Sequence, residues 1–159
     1  MADEKVPAPG KKIRDYKVTI TDGSSSKLSE LTGKNGLVIY FYPKDMTPGC
    51  TTEACDFRDN LKRLEKLGYK ILGVSADDVK RHQKFTEKQD LNFPLAADED
   101  QKLSNAFGVW GEKKLYGKTF MGIKRTTFVL DKGLKVSHVY EKVKVKGHVD
   151  QIMSDLSGK

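Results

Sequence analysis

The chain holds two thiols in 159 residues. Cys50 and Cys55 stand five positions apart in the stretch Phe41-Tyr42-Pro43-Lys44-Asp45-Met46-Thr47-Pro48-Gly49-Cys50-Thr51-Thr52-Glu53-Ala54-Cys55. Thr47 followed by Pro48 is a helix start: a hydroxyl residue suits the N-cap, and proline suits the first turn. A helix starting there puts Cys50 in its first turn. Unpaired backbone N–H groups and the positive end of the helix dipole favour a thiolate at that place. Cys50 therefore reads as a nucleophile. The local sequence also allows a buried small residue, because Cys50 extends the apolar stripe Ala54, Phe57, Leu61, Leu64 by one turn.

Five residues of helix place Cys55 about 140° around the axis from Cys50, with a rise of roughly 7.5 Å. The Cα atoms are then about 8–9 Å apart, beyond the approximate 7 Å limit for a disulfide. An intact helix forbids the bond, and local unwinding near the helix end permits it. The pair has the geometry of a conditional disulfide, formed after chemistry at Cys50. It differs from Cys-x-x-Cys, which closes without unfolding.

The elements that must position these residues follow an α/β order. Tyr16–Ile20 alternates as a short strand, ended by a turn at Thr21–Ser24. Leu37–Tyr42 is a continuous apolar run, as in a strand buried on both faces. The helix from Thr47 ends at Gly68, and Tyr69–Ser75 reads as the next buried strand. Asp77 or Asp78 caps a second helix to about Asp90, and Phe93–Ala96 is a short strand. Asp98 starts a short helix to about Phe107. Residues 108–122 read as a long Gly- and Lys-rich connection. Thr126–Leu130 and Lys135–Tyr140 form a hairpin, and His148–Leu156 is a final helix. The expectation is a mixed sheet with helices packed on it. Residues 1–12 read as a flexible leader and 13–159 as a single domain.

Composition removes other classes. No stretch approaches the roughly 20 apolar residues of a membrane helix, and Met1–Lys5 lacks the pattern of a signal peptide. Two cysteines make neither a disulfide framework nor a closed zinc site, and they fit a reduced, cytoplasmic setting. His82, His138 and His148 show no ligand spacing, so no metal is expected; His82 reads as packing at the edge of a helix face. Ten Lys/Arg and three acids fall within 111–146, a local excess equal to the whole net charge of +7. Lys142–Lys146 alternates with period two, as a strand with one wet side does. A solvated face accounts for this charge better than nucleic-acid binding, because no recognised binding motif accompanies it.

Pro43-x-x-x-Thr47-x-x-Cys50 matches the active-site motif of peroxiredoxins. Together with Phe41-Tyr42-Pro43-Lys44-Asp45, Glu53-Ala54-Cys55, Gly73-Val74-Ser75, Asp98-Glu99-Asp100, Phe107–Gly111 and Arg125–Phe128, it resembles the bacterioferritin comigratory protein group, or peroxiredoxin Q, over roughly 15–157. The resemblance implies a thioredoxin-like fold, no cofactor, and thiol-dependent reduction of hydrogen peroxide and organic hydroperoxides. It implies that Cys50 is the peroxidatic cysteine and that Cys55 is the resolving one. Thr47 would bond the thiolate and the peroxide oxygen, and Pro43 would shield the site from water. Arg125 would stabilise thiolate and developing charge, a task suited to a permanently charged, forked donor. Glu53 reads as a structural carboxylate near the helix start, with positioning of Arg125 as the alternative. Trp110 and Phe120 would cover the pocket or meet another subunit. The implied partners are peroxides and a thioredoxin- or glutaredoxin-type reductant, and the expected state is a monomer. Two other functions compete: a dithiol oxidoreductase acting on proteins, which would leave Pro43, Thr47 and Arg125 idle, and a basic nucleic-acid-binding protein with incidental cysteines.

Overall fold

The computed structural model describes residues 6–157. A small antiparallel pair, β1 (Lys17–Thr19) and β2 (Ser25–Lys27), opens the chain. A single 3-10 turn at Leu28–Leu31 leads to β3 (Gly36–Phe41). Then come α1 (Pro48–Lys66), β4 (Tyr69–Ser75), α2 (Val79–Gln89), β5 (Leu95–Ala97) and α3 (Lys102–Ala106). Two hairpins follow, β6 (Trp110–Leu115) with β7 (Lys118–Ile123), and β8 (Thr126–Asp131) with β9 (Val136–Tyr140), before α4 (His148–Leu156).

The central sheet has the order β5-β4-β3-β8-β9. β3, β4 and β5 run parallel, and β8 and β9 are antiparallel to their neighbours. β3 is buried at every position because both faces are covered. Its side chains alternate between two cores. Leu37, Ile39 and Phe41 pack with Leu72, Phe107, Phe128 and Leu130. Val38 and Tyr40 pack on the other face with Cys50, Ala54, Phe57 and Leu64 of α1, Phe85 of α2, and Ile152 of α4. The apolar stripe of α1 is thus spent on the sheet. Gly68, at φ +92°, lets the chain leave α1 in a left-handed turn that other residues resist.

Three local expectations change. The 108–122 connection is the β6–β7 hairpin, with Trp110 paired to Ile123 and Leu115 to Lys118 around Tyr116-Gly117. Its glycines and lysines hid a strand signal, because most of β7 is exposed rather than half-buried. Residues 142–146 are not a strand. Burial alternates as expected, with Val143 and Val145 half-buried between exposed lysines. Lys142, however, is left-handed at φ 52°, which breaks any ladder. Asp98 precedes α3 and still caps it, its carboxylate accepting N–H bonds from Leu103 and Ser104. The described part of the leader, 6–12, is tied to the domain: Gly10 N–H donates to Val136 O, and Val136 N–H to Lys11 O.

Candidate active site

The last residue of β3, Phe41, pairs with Thr126, the first of β8. That register sets Arg125 beside the loop that carries the chain from β3 into α1. Cys50, third in α1, is 1% exposed. Arg125 Nη2 donates to Cys50 Sγ at 3.3 Å, and Nη1 donates to Glu53 Oε1 at 2.5 Å. Cys50 and Glu53 are one helical turn apart, so a single planar guanidinium spans both.

Glu53 is itself buried, and its Oε2 finds no hydrogen-bond partner among the described residues. Burial pushes its carboxyl up to about 7, against the pull of the Arg125 charge. The alternative reading of Glu53, as the residue that holds Arg125, describes this contact. His148 lies at the first position of α4, bonded through Nε2 to Thr127 Oγ1 at 2.8 Å. Burial, with a further contribution from Arg125, pushes it down to about 4. Arg125 thus faces a neutral imidazole rather than a second cation at neutral pH.

The loop 43–47 is held from below by a buried network. Tyr42 O–H donates to Asp45 Oδ1 at 2.6 Å, and His82 Nδ1 meets Asp45 Oδ2 at 2.6 Å. His82 Nε2 lies 2.8 Å from the Ala96 carbonyl, an acceptor, so Nε2 carries a proton. Asp45 N–H donates to Asp77, which also accepts from Ser75 and Arg81. Sequence placed His82 at the edge of its helix face; it is fully buried and paired to Asp45. No spacing rule links positions 45 and 82, so only the fold joins them. Asp45, Asp77 and His82 bring ligand-type atoms within 4.8 Å of one another. Those atoms are already engaged, His82 Nδ1 with Asp45 and the carboxylates of Asp45 and Asp77 with the donors just named, so the cluster is a hydrogen-bond network.

Met46 follows at φ 67°, a strained value for a side chain of its size. Thr47 occupies the N-cap position, but its hydroxyl donates to Lys44 O at 3.0 Å instead of capping α1. Pro43 is half-buried one residue after Tyr42. Trp110, the first residue of β6, packs against the core, and Phe120, within β7, is exposed, so the two aromatics of the hairpin differ in role.

Cys55 is half-buried, and Cys50 and Cys55 are both free thiols on one continuous helix. Cys55 Sγ donates to Gln89 Oε1 at 3.5 Å, at the end of α2. The helix turns the two sulfurs toward different neighbours, Cys50 to Arg125 just before β8 and Cys55 to the end of α2.

A model of the AhpC/TSA family matches residues 9–139. The chain belongs to that family. Within it, the chain is 48% identical over 147 residues to peroxiredoxin Bcp of Bacillus subtilis, covering 92% of this chain and 93% of that protein. It is 45% identical over 133 residues to peroxiredoxin Bcp of Escherichia coli K12, covering 84% and 85%. Among solved structures it resembles Xanthomonas campestris peroxiredoxin Q with a TM-score of 0.83 at 47% identity, covering 90% of each chain. It resembles Xylella fastidiosa PrxQ with a TM-score of 0.90 at 34% identity, covering 97% and 98%. The fold of this peroxiredoxin is thioredoxin-like, and its relatives are of the Bcp, or peroxiredoxin Q, group.

Proposed function

We propose that this peroxiredoxin reduces hydrogen peroxide and organic hydroperoxides at Cys50, with Cys55 as the resolving thiol. The observation that carries the reading is the contact of Arg125 with both Cys50 Sγ and Glu53. A Xanthomonas campestris bacterioferritin comigratory protein, studied for its alkyl peroxide reduction activity, shares 44% identity and a TM-score of 0.85 with this chain. That likeness supports extending the substrate class to alkyl peroxides.

The Cys50 thiolate attacks one peroxide oxygen and the O–O bond breaks. The electron pair leaves with the other oxygen, which takes a proton and departs as water or alcohol. Cys50 is left as a sulfenic acid. Negative charge moves from sulfur toward oxygen in this step, and the Arg125 guanidinium, already bonded to Sγ, is oriented to follow it. Glu53 keeps the guanidinium from turning away. Thr47 acts when its hydroxyl leaves Lys44 O for the incoming peroxide. Pro43 limits water at the loop.

The Cys55 thiolate then forms the S–S bond to Cys50, and the S–O bond breaks with release of water after protonation. Helix α1 must unwind between the two residues first, because helix geometry keeps their Cα atoms about 8–9 Å apart. A dithiol donor of the thioredoxin or glutaredoxin type then reduces the exposed disulfide by two exchanges and becomes a disulfide itself. The working form is a monomer in the cytoplasm, a reduced setting that a chain with two cysteines fits. No described helix is long and apolar enough to cross a membrane.

Mass spectrometry of the reduced protein before and after one equivalent of hydrogen peroxide tests this. A loss of two hydrogens joining Cys50 to Cys55 is expected. An oxidised Cys50 with Cys55 still free would overturn Cys55 as the resolving thiol. Light scattering at two concentrations checks the monomer.

A further inference from the structure

Cys55 does not stand free on the surface of α1. Its Sγ bonds Gln89 Oε1 at 3.5 Å, and the same Gln89 offers its backbone carbonyl to Arg58 Nη1 at 2.6 Å. Arg58 follows Cys55 by three positions, so both partners project from neighbouring turns of one helix face. Asn92 Nδ2 closes the set by donating to the Arg58 carbonyl at 3.2 Å. The chain leaves α2 through Asp90, left-handed at φ 54°, which turns 90–92 back toward α1. The end of α2 therefore grips α1 at Cys55 and Arg58, on the face away from the Cys50–Arg125 contact.

We propose that Gln89 is a positioning residue that latches the Cys55 thiol on the helix and sets how fast Cys55 reaches the oxidised Cys50. The inference rests on Cys55 as the resolving thiol. The bond to Gln89 must break before Cys55 can move, because the S–S bond cannot form on the intact helix. It is a neutral bond to sulfur, hence weak enough to open on the timescale of local unfolding. Arg58 has a different part. Its charge-assisted bond to the Gln89 carbonyl is short and does not involve the thiol. It holds the Gln89 backbone in place when the side-chain bond opens, and anchors α1 beyond the segment that unwinds. Peroxide attack at Cys50 leaves this grip untouched, so the latch acts on the second step alone.

The test is a quench experiment on the full chain. Reduced protein is mixed with hydrogen peroxide, quenched with an alkylating agent at intervals, and analysed by mass spectrometry. Loss of free Cys50 reads the first step; appearance of the Cys50–Cys55 disulfide reads the second. Gln89→Leu removes the acceptor and should speed the second step roughly two- to fivefold, the range of a weak neutral hydrogen bond. Gln89→Glu provides a charged, stronger acceptor and should slow it. Both should lose free Cys50 at the wild-type rate. Disulfide formation unchanged in both variants, or slowed in Gln89→Leu, overturns the latch. A parallel Cys55→Ser sample separates the two readings. If it turns over like wild type, resolution through Cys55 fails and the latch with it. If it stalls while the Gln89 variants behave as wild type, the latch alone fails.

Discussion

Arg125 Nη2 donates to Cys50 Sγ at 3.3 Å although the residues are 75 positions apart, and Glu53 holds the neighbouring Nη1. The contact depends on a fork: one nitrogen serves the sulfur while another is anchored. Arg125→Ala should slow oxidation of Cys50 by about 10²–10³-fold, the scale of losing one donor aimed at developing charge. Arg125→Lys should recover only part of that loss, because a single ammonium cannot bridge both partners. Stopped-flow consumption of hydrogen peroxide measures both. Full activity of Arg125→Lys would mean that charge matters and the fork does not.

Two buried groups beside Arg125 should tilt stability in opposite directions with pH. Folding raises Glu53 from 4.5 to about 7, so its contribution is full below pH 4.5 and is lost as pH rises through 7. Folding lowers His148 from 6.5 to about 4, so its contribution is full above pH 6.5 and is lost as pH falls through 4. Each amounts to about 3 kcal/mol. The two nearly cancel between about pH 4.5 and 6.5. Relative to wild type, Glu53→Gln should gain stability as pH rises through this window, and His148→Asn should lose it. Urea unfolding at pH 4.5, 5.5 and 6.5 gives both slopes; slopes of equal sign would refute the assignment.

The Asp45–His82 pair is sealed from water on both sides. His82→Leu leaves the Asp45 carboxylate buried with Tyr42 as its remaining side-chain donor among the described residues. The expected loss is about 3–5 kcal/mol, typical of breaking a buried pair by removing one partner. Because Asp45 lies on the loop before Thr47, peroxide turnover should fall as well. A melting temperature within a degree of wild type would show that the loop is held by its backbone alone.

Oxidation should loosen α1 at its start. After one equivalent of hydrogen peroxide, amide exchange across residues 50–57 should quicken, while β3 and β4 keep their protection. Cys55→Ser should consume one equivalent and stall, or overoxidise at Cys50, unless an external thiol is supplied. Hydrogen-exchange mass spectrometry of reduced and oxidised protein decides; identical exchange in the two states would exclude unwinding.

The start of α1 at Thr47-Pro48, the burial of β3, and the stripe Ala54, Phe57, Leu61 and Leu64 were all legible in the sequence, because each depends on spacing within one element. So was the separation of Cys50 from Cys55, which follows from helix geometry alone. The β6–β7 hairpin was not, since an exposed two-stranded ribbon carries little hydrophobic pattern. What Thr47 does at its cap position was also hidden, because the hydroxyl turned back to Lys44. The Arg125–Cys50 contact was expected from the motif resemblance alone, whereas the hold of Glu53 on Arg125, the pairing of Asp45 with His82, and the grip of Gln89 on Cys55 were decided by tertiary structure. Each joins residues more than 30 positions apart. Strand register and helix docking bring them together, and no local periodicity encodes such a meeting. Residue types told which groups were able to do chemistry; the packing of α1, α2 and β8 determined which of them touch.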